Sequence, residues 1–435
     1  MEEDGQRRRR RRRTRTAAMP ERGCHAGAAT SIHDLPNDLL ELVLLRVPCP
    51  VTLARAASTC RPWRRLISSA GFIRRHRCLH PPPVLGHFYA RCGTSFVPAP
   101  PPPGPPRATA VDAIRDRVSL RFLPHNYNTC VMELTDSRGG LLALVCNCNA
   151  SSSVVMCDPL ARRFREVCLP AAMPVSSSER FTPCCLGAFL LDAGDEDDTA
   201  IIRSLSVSNF RVLCVPLVSE DDDHGRSRLS ARAFVFSARE SRWVLLSLST
   251  TVVDPCAHRF LGRTAEGSLV WSGASCGTTK VLHLDENTGD FSYFALPAPA
   301  KDVRRDVHVY YWRWNLRAVG RDDTGAMRLA RIVGGVDLEV LRCVPGGGGG
   351  AVTVERAVNL SDLTGIKPWS DRSWHFLEMD DAAVPTGSVV VSTTEKCRWM
   401  FTIDVEIMEA VRGRKRDCDA RAVLPYELPW PPPIK

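Results

Sequence analysis

No apolar run in this sequence is long enough to cross a bilayer. The longest, Leu39–Leu45 and Arg138–Cys146, fall far short of the roughly 20 residues a spanning helix needs. The first residues, MEEDGQRRRRRRR, carry no apolar stretch of the kind a secretory leader requires. Eighteen cysteines make up only about 4% of the chain, far below the density of disulfide-stapled scaffolds. These shortages predict an intracellular protein with reduced thiols and no membrane partner.

Catalytic signatures are lacking too. There is no Gly-x-Ser-x-Gly nucleophile turn, no phosphate-binding P-loop and no dinucleotide glycine pattern, and Gly346–Gly350 is a bare glycine run that reads as a loop. Cys146-Asn-Cys148 and His76-x-Cys78-x-His80 approach a metal cluster, but neither has a second pair at zinc-site spacing. Asn149-Ala-Ser151 and Asn359-Leu-Ser361 match a glycosylation sequon that a non-secreted chain would not present to the modifying machinery. The expectation is a non-catalytic protein with no cofactor and no metal.

What is present is enough for a sizeable core: 435 residues, 44% apolar and 24% charged, within the globular range and long enough for about three average domains. The net charge of +9 is concentrated at one end. Met1–Arg22 holds nine Arg against four acidic residues, a net of +5, leaving +4 for all the rest. Residues 1–30 read as a disordered Arg-rich tail, because they offer almost no large apolar side chain to offset the entropy of ordering. Arg7–Arg13 fits a nuclear import signal, a polyanion-binding arm or a solvated leader without an address.

Residues 34–47, DLPNDLLELVLLRV, predict a short helix, with Asp34 or Asn37 as cap, Asp38 and Glu41 early, Arg46 late and Pro48 beyond. Between Asp38 and Val47 only Asp38, Glu41 and Arg46 are polar. Apolar residues therefore cover nearly the whole circumference, and such a helix must be buried on more than one side. The surrounding module, 31–76, is too small to cover both faces itself, so part of this surface is expected to belong to a partner. Further helices are predicted over Val51–Thr59 and from Pro62 to a stop at Gly71. Residues 77–107 then read as a Pro-rich linker, with ten prolines between Pro81 and Pro106.

From 108 to 435 the signals are short Val-, Leu- and Phe-rich strands broken by Gly, Asp, Asn and Pro. They repeat. Asp158–Phe164, Ser237–Trp243 and Asp285–Phe291 each place an aromatic six positions after the start of a polar turn. Leu169, Leu248 and Leu296 follow, and the first and third copies are preceded by Gly140-Leu-Leu and Gly267-Ser-Leu. A fainter copy runs from Gly387 to Asp404. Gly opening a strand, a polar hairpin, an aromatic strand and a terminating Pro make up one blade of a β-propeller. The length divides into six or seven blades of about 45–50 residues. The 79-residue interval from Asp158 to Ser237 calls for a second blade or for inserts, and Asp195–Asp198 and Glu220–Asp223 look like insert loops. A β-sandwich is the alternative architecture.

The stretch LPNDLLELVLLRVP, with Leu53-Ala-Arg55, Ser58-Thr-Cys-Arg-Pro-Trp-Arg-Arg-Leu-Ile67, Phe72 and His76, resembles the plant F-box from end to end. The remainder, including Pro425-Tyr-Glu-Leu-Pro-Trp-Pro, is similar to the F-box-associated β-propeller, kelch-like domains of plant, especially grass-type, F-box proteins. This resemblance implies a small three-helix F-box followed by a substrate-recognition propeller. It further implies the substrate adaptor of an SCF (Skp-cullin-F-box) ubiquitin ligase, in the nucleus and/or the cytoplasm. A Skp-type linker would dock on the F-box and connect it to cullin, and a protein target would sit on the propeller. Carried over by motif position, the linker surface would comprise Leu35, Pro36, Leu39, Leu40, Val43, Leu44, Leu53, Cys60, Trp63 and Leu66, about half of which are expected to belong to the bundle's own core. Pro62 and the slim Ala56-Ala57 pair depart from the family pattern. Two other readings remain. One is an F-box protein acting outside degradation; the other is a nucleic-acid-associated regulator using the Arg tail, which the near-neutral body disfavours.

Overall fold

The computed structural model describes residues 35–80, 84–90, 95–98, 118–124, 131–147, 152–169, 185–191, 205–221, 227–253, 258–264, 266–275, 278–297, 316–344, 350–366, 374–376, 378–379, 387–393, 398–416 and 422–428. The Arg-rich tail, Asp34, Asp195–Asp198 and the prolines beyond Pro98 in the 77–107 segment lie outside them.

Four helices come first: α1 (Asn37–Leu45), α2 (Pro50–Thr59), α3 (Arg61–Ile67) and α4 (Ala70–Leu79). Pro50 and Pro62 lie in the first turns of α2 and α3, where the missing N–H costs nothing. Gly71 does not end the bundle. Ser68 closes α3, and the Ser69 hydroxyl accepts from the Phe72 N–H at 3.3 Å to start a fourth helix. Nor does a side chain cap α1, whose N-cap position is Pro36 and whose first residue is Asn37.

Six four-stranded sheets follow. Strands β1 (Val84–Ala90) and β2 (Ser95–Pro98) come directly after the bundle. The segment 77–107 is thus more than a linker: between its prolines, LGHFY and SFV carry enough apolar residues to pair in a sheet. The first complete blade is β3 (Val131–Arg138), β4 (Leu141–Asn147), β5 (Ser152–Asp158) and β6 (Arg163–Cys168). The second is β7 (Cys185–Leu191), β8 (Arg211–Asp221), β9 (Ser227–Ser237) and β10 (Arg242–Val253). The third is β11 (His258–Arg263), β12 (Ser268–Ser275), β13 (Thr278–Asp285) and β14 (Phe291–Ala295). The fourth is β15 (Leu316–Arg321), β16 (Met327–Val333), β17 (Asp337–Val344) and β18 (Ala351–Asn359), followed by the short helix α5 (Leu360–Thr364). The fifth takes β19 (Trp374–Phe376), then β21 (Ser388–Thr393), β22 (Arg398–Asp404) and β23 (Glu409–Arg416). The sixth is shared by distant parts of the chain: β2, β1, β24 (Ala422–Glu427) and β20 (Glu378–Met379), in that order, with β20 parallel to β24.

This is a six-bladed propeller. Neighbouring blades meet in order around the ring, through β24 with β3, β3 with β7, β7 with β11, β11 with β15 and β15 with β21, while β20, next in the chain after the fifth blade's β19, pairs into the sixth. The 79-residue interval is one blade with inserts, not two blades.

The core lies between blades rather than within any one. On β4, Leu141, Ala143 and Val145 pack against blade two, while Leu142, Leu144 and Cys146 pack against blade six. A strand buried on both faces reads as an unbroken apolar run, which is why 141–146 shows no alternation. Val51 of α2 packs against the cluster between blades six and one, bringing the helical bundle onto the ring there.

The repeated polar turns are the hairpins joining third and fourth strands. In each, the first side chain accepts from backbone N–H groups inside the turn. Asp158 Oδ1 takes Ala161 N at 2.9 Å, Asp285 Oδ1 takes Asn287 N at 2.9 Å, Asp404 Oδ1 takes Glu406 N at 2.8 Å, and Ser237 Oγ takes Glu240 N at 3.5 Å. The fifth residue turns left-handed: Arg162, Ser241, Gly289 and Met408, with φ of 52°, 51°, 77° and 55°.

Candidate functional site: an apolar helix face

Helix α1 divides its leucines between two environments. Leu40, Leu44 and Leu45 enter the bundle core with Leu53, Ala57, Ile67, Phe72 and Ile73. Leu39, Leu42 and Val43 point the other way and are 46%, 59% and 46% exposed, with Pro36 and Arg46 also exposed at either end. Positions 36, 39, 43 and 46 follow the three- and four-residue spacing of one helix face. The result is a ridge of aliphatic side chains in water.

Helix α4 braces the helix behind that ridge. His76 Nε2 donates to Val47 O at 2.9 Å, and His80 Nε2 donates to Leu45 O at 2.7 Å. Those carbonyls lie at the end of α1, where the last turn leaves acceptors without intrahelical donors. Arg75 pairs with Glu41 one turn earlier. Burial lowers the pKa of His76, with the Val47 carbonyl opposing and neighbouring His80 adding to the drop. The His76-x-Cys78-x-His80 spacing thus reflects two imidazoles engaging carbonyls at the last residue of α1 and just beyond it.

Of the ten residues assigned to the linker surface, Pro36, Leu39 and Val43 are exposed. Leu35, Cys60, Trp63 and Leu66 are half-buried, and Leu35, Trp63 and Leu66 pack against the bundle core. Leu40, Leu44 and Leu53 are interior, 4%, 4% and 0% exposed, and pack together in the bundle core. Leu42, the most exposed of the α1 leucines, was absent from that set. It lies three residues after Leu39, a spacing that places the two side by side on the helix surface.

On the propeller, polar contacts pin blade to blade. Asp136 Oδ2 accepts from Leu190 N at 2.6 Å and from Arg263 Nη1 at 3.1 Å, joining blades one, two and three. Arg263 Nη2 also donates to Leu190 O at 2.9 Å and to Glu286 Oε2 at 2.6 Å. Ser137 Oγ reaches Pro425 O of blade six at 2.6 Å, and Arg321 Nη2 reaches Asp285 Oδ2 of blade three at 3.1 Å. Arg328 grips Glu355 through two nitrogens and Glu406 of blade five through a third. Burial pushes the Glu286 carboxyl up, and Arg263 draws it back. His283 is pushed down to about 4, first by burial and then by Arg321, with Asp285 opposing. Between blades four and five a recess of about 210 Å³ is lined in part by Arg321, Arg328, Asp404 and Glu406; the contacts above already join Arg321 to Asp285 and Arg328 to both Glu355 and Glu406.

Residues 32–80 match the F-box-like family model. The chain therefore carries an F-box-like domain at its N-terminus, followed by a six-bladed β-propeller. A search of curated proteins returned no match. Among solved structures, a Dos1 propeller is similar at 12% identity, covering 67% of this chain and 62% of that one, with a TM-score of 0.33. The chain thus spans less than two thirds of that protein's length. TolB from Acinetobacter baumannii is similar at 8% identity over 77% of this chain and 74% of that one, TM-score 0.31. AofleA from Arthrobotrys oligospora is similar at 9% identity over 68% and 73%, TM-score 0.34.

Proposed function

We propose that this protein is the substrate-recognition adaptor of an SCF-type ubiquitin ligase. A Skp-type linker covers the Pro36–Leu39–Leu42–Val43 ridge and connects it to cullin. The propeller holds a protein target in the nucleus and/or cytoplasm, and ubiquitin transfer is carried out by other subunits. The observation that carries this reading is the ridge itself, three aliphatic side chains about half exposed on a helix of an F-box-like domain. Water-exposed aliphatic surface of this kind gains most by being covered, at about 25 cal/mol per Å². The propeller's apolar residues are mostly committed to the seams between blades, which leaves loops and turns to read a target.

The test is capture of the full-length chain by a purified Skp-type linker, at low and high salt. The native chain is expected to bind with little salt dependence, because apolar burial is not screened. The Leu42→Asp, Val43→Asp double variant is expected to lose binding on the order of 100-fold while unfolding at the same temperature. Full binding by that variant would remove the interface. A helix-free control must begin near residue 81: a truncation beginning at 108 would discard β1 and β2 and open the ring. Binding that collapses with salt would favour the Arg tail as the attachment.

A further inference from the structure

We infer that Cys185 and Cys214 form a peroxide-oxidisable thiol pair that closes a disulfide inside blade two. Both thiols are free and buried, and their sulfurs lie 3.1 Å apart. That is closer than the usual packing distance of non-bonded sulfurs and farther than the roughly 2.05 Å of an S–S bond. Cys185 opens β7 and Cys214 lies on adjacent β8. The Cys185 thiol also reaches Gly187 O at 3.1 Å, so its proton has an acceptor other than the Cys214 sulfur.

The ladder around the pair is weakened. Opposite Cys185 stands Pro216, which has no N–H to donate, and the register slips by one residue before Ala188 meets Cys214. On the other side, the β8–β9 ladder passes from Cys214–Phe234 to Leu217–Ala231 without a pair at Pro216. A strand end with few ladder bonds opens locally at little cost, giving a small hydroperoxide access to Cys185. The Cys214 thiol, fully enclosed and pushed up by burial, is the less accessible of the two and acts second.

The chemistry balances. The Cys185 sulfur attacks one peroxide oxygen, the O–O bond breaks, and the departing hydroxide takes the Cys185 proton and leaves as water (an alkoxide leaves as alcohol if the peroxide is organic), giving the sulfenic acid. Cys214 sulfur then attacks the Cys185 sulfur, the S–O bond breaks, and the departing hydroxide takes the Cys214 proton as water. Two thiols are oxidised by two electrons in all, and one peroxide is reduced.

The experiment treats the folded full-length chain with hydrogen peroxide, quenches it, alkylates in denaturant and maps the peptides by mass, with exposed Cys168 as the control that oxidant reached the protein. The expected product is a peptide containing Cys185 linked to the one containing Cys214, about 2 Da lighter than the two reduced peptides together and separated by a thiol reductant. Because Cys184 is adjacent in sequence, Cys184→Ser must retain the link while Cys185→Ser and Cys185→Ala both lose it. Complete alkylation of Cys185 and Cys214 after Cys168 has oxidised would overturn the proposal, as would a link that survives both Cys185 variants.

Discussion

The bundle and the ring are built from the same aliphatic residues put to opposite use. On β4 every apolar side chain from Leu141 to Cys146 is enclosed by one neighbouring blade or the other. On α1, Leu40, Leu44 and Leu45 are buried, and Leu39, Leu42 and Val43 are left in water. A ring in which each sheet covers the next can enclose both faces of every middle strand. A four-helix module of this size cannot enclose one helix that is apolar all round. Residues that look alike in sequence therefore have different consequences. Those in the ring hold the fold together, and those on the ridge are the ones that, in the function proposed above, a partner would cover.

That contrast can be broken at several points. The largest effect is expected at the seams: Trp271→Ala removes a buried indole whose Nε1 donates to Leu186 O of the preceding blade at 3.0 Å. It should cost about 3–5 kcal/mol in denaturant unfolding, whereas Leu39→Ala should change stability by less than about 0.5 kcal/mol. Equal costs would mean that the ridge is structural. Arg331→Ala should be of similar size to Trp271→Ala, about 3–5 kcal/mol, because it strands the buried Glu339 carboxylate that Arg331 meets at 2.5 Å.

Acid should loosen the ring as well. The folded-state pKa of His283 is about 4 against 6.5 in an unfolded chain. The neutral ring is thus the native form; its contribution is complete above pH 6.5 and is lost as pH falls from there through 4. The loss amounts to roughly 3 kcal/mol, and His283→Gln should flatten that part of the stability profile. His76 shifts in the same direction in the bundle. The unfolding midpoint of the whole chain should therefore fall with acid, and the His283 variant should remove the larger share. An unchanged profile in that variant would remove His283 from the account. A smaller effect, and a gain, is expected at the turns: Met408→Gly should add about 0.5–1 kcal/mol, since that position turns left-handed and blade three already fills it with Gly289. A loss on substitution would show that the Met408 side chain, packed against the cluster between blades four and five, matters more than its backbone.

Much of the ring was legible, and the illegible parts have specific causes. The hairpins at Asp158, Ser237, Asp285 and Asp404 repeat because a short polar side chain must satisfy the turn's N–H groups. Blade four escaped because the sequence between its third and fourth strands is Pro345 followed by a glycine run, with no short polar residue to mark a turn. Blade six escaped because no local pattern can show that β1 pairs with β24, and because the surrounding prolines point toward an extended linker. On the bundle, composition showed that α1 had surplus apolar surface. It could not say which leucines were surplus: Leu40, Leu44 and Leu45 face inward, where α3 and α4 close over that side.

The shared sixth blade also sets a timetable. A ribosome adding about 5–20 residues per second makes the helical bundle and strands β1 and β2 early. Roughly 320 further residues must then emerge before β24 arrives to pair with β1. For tens of seconds the module that would recruit a ligase can be folded while the module that would select a target still has an open edge. A message read short of Glu427 would leave that edge open for good, yielding a chain with its F-box-like bundle complete and its ring unclosed.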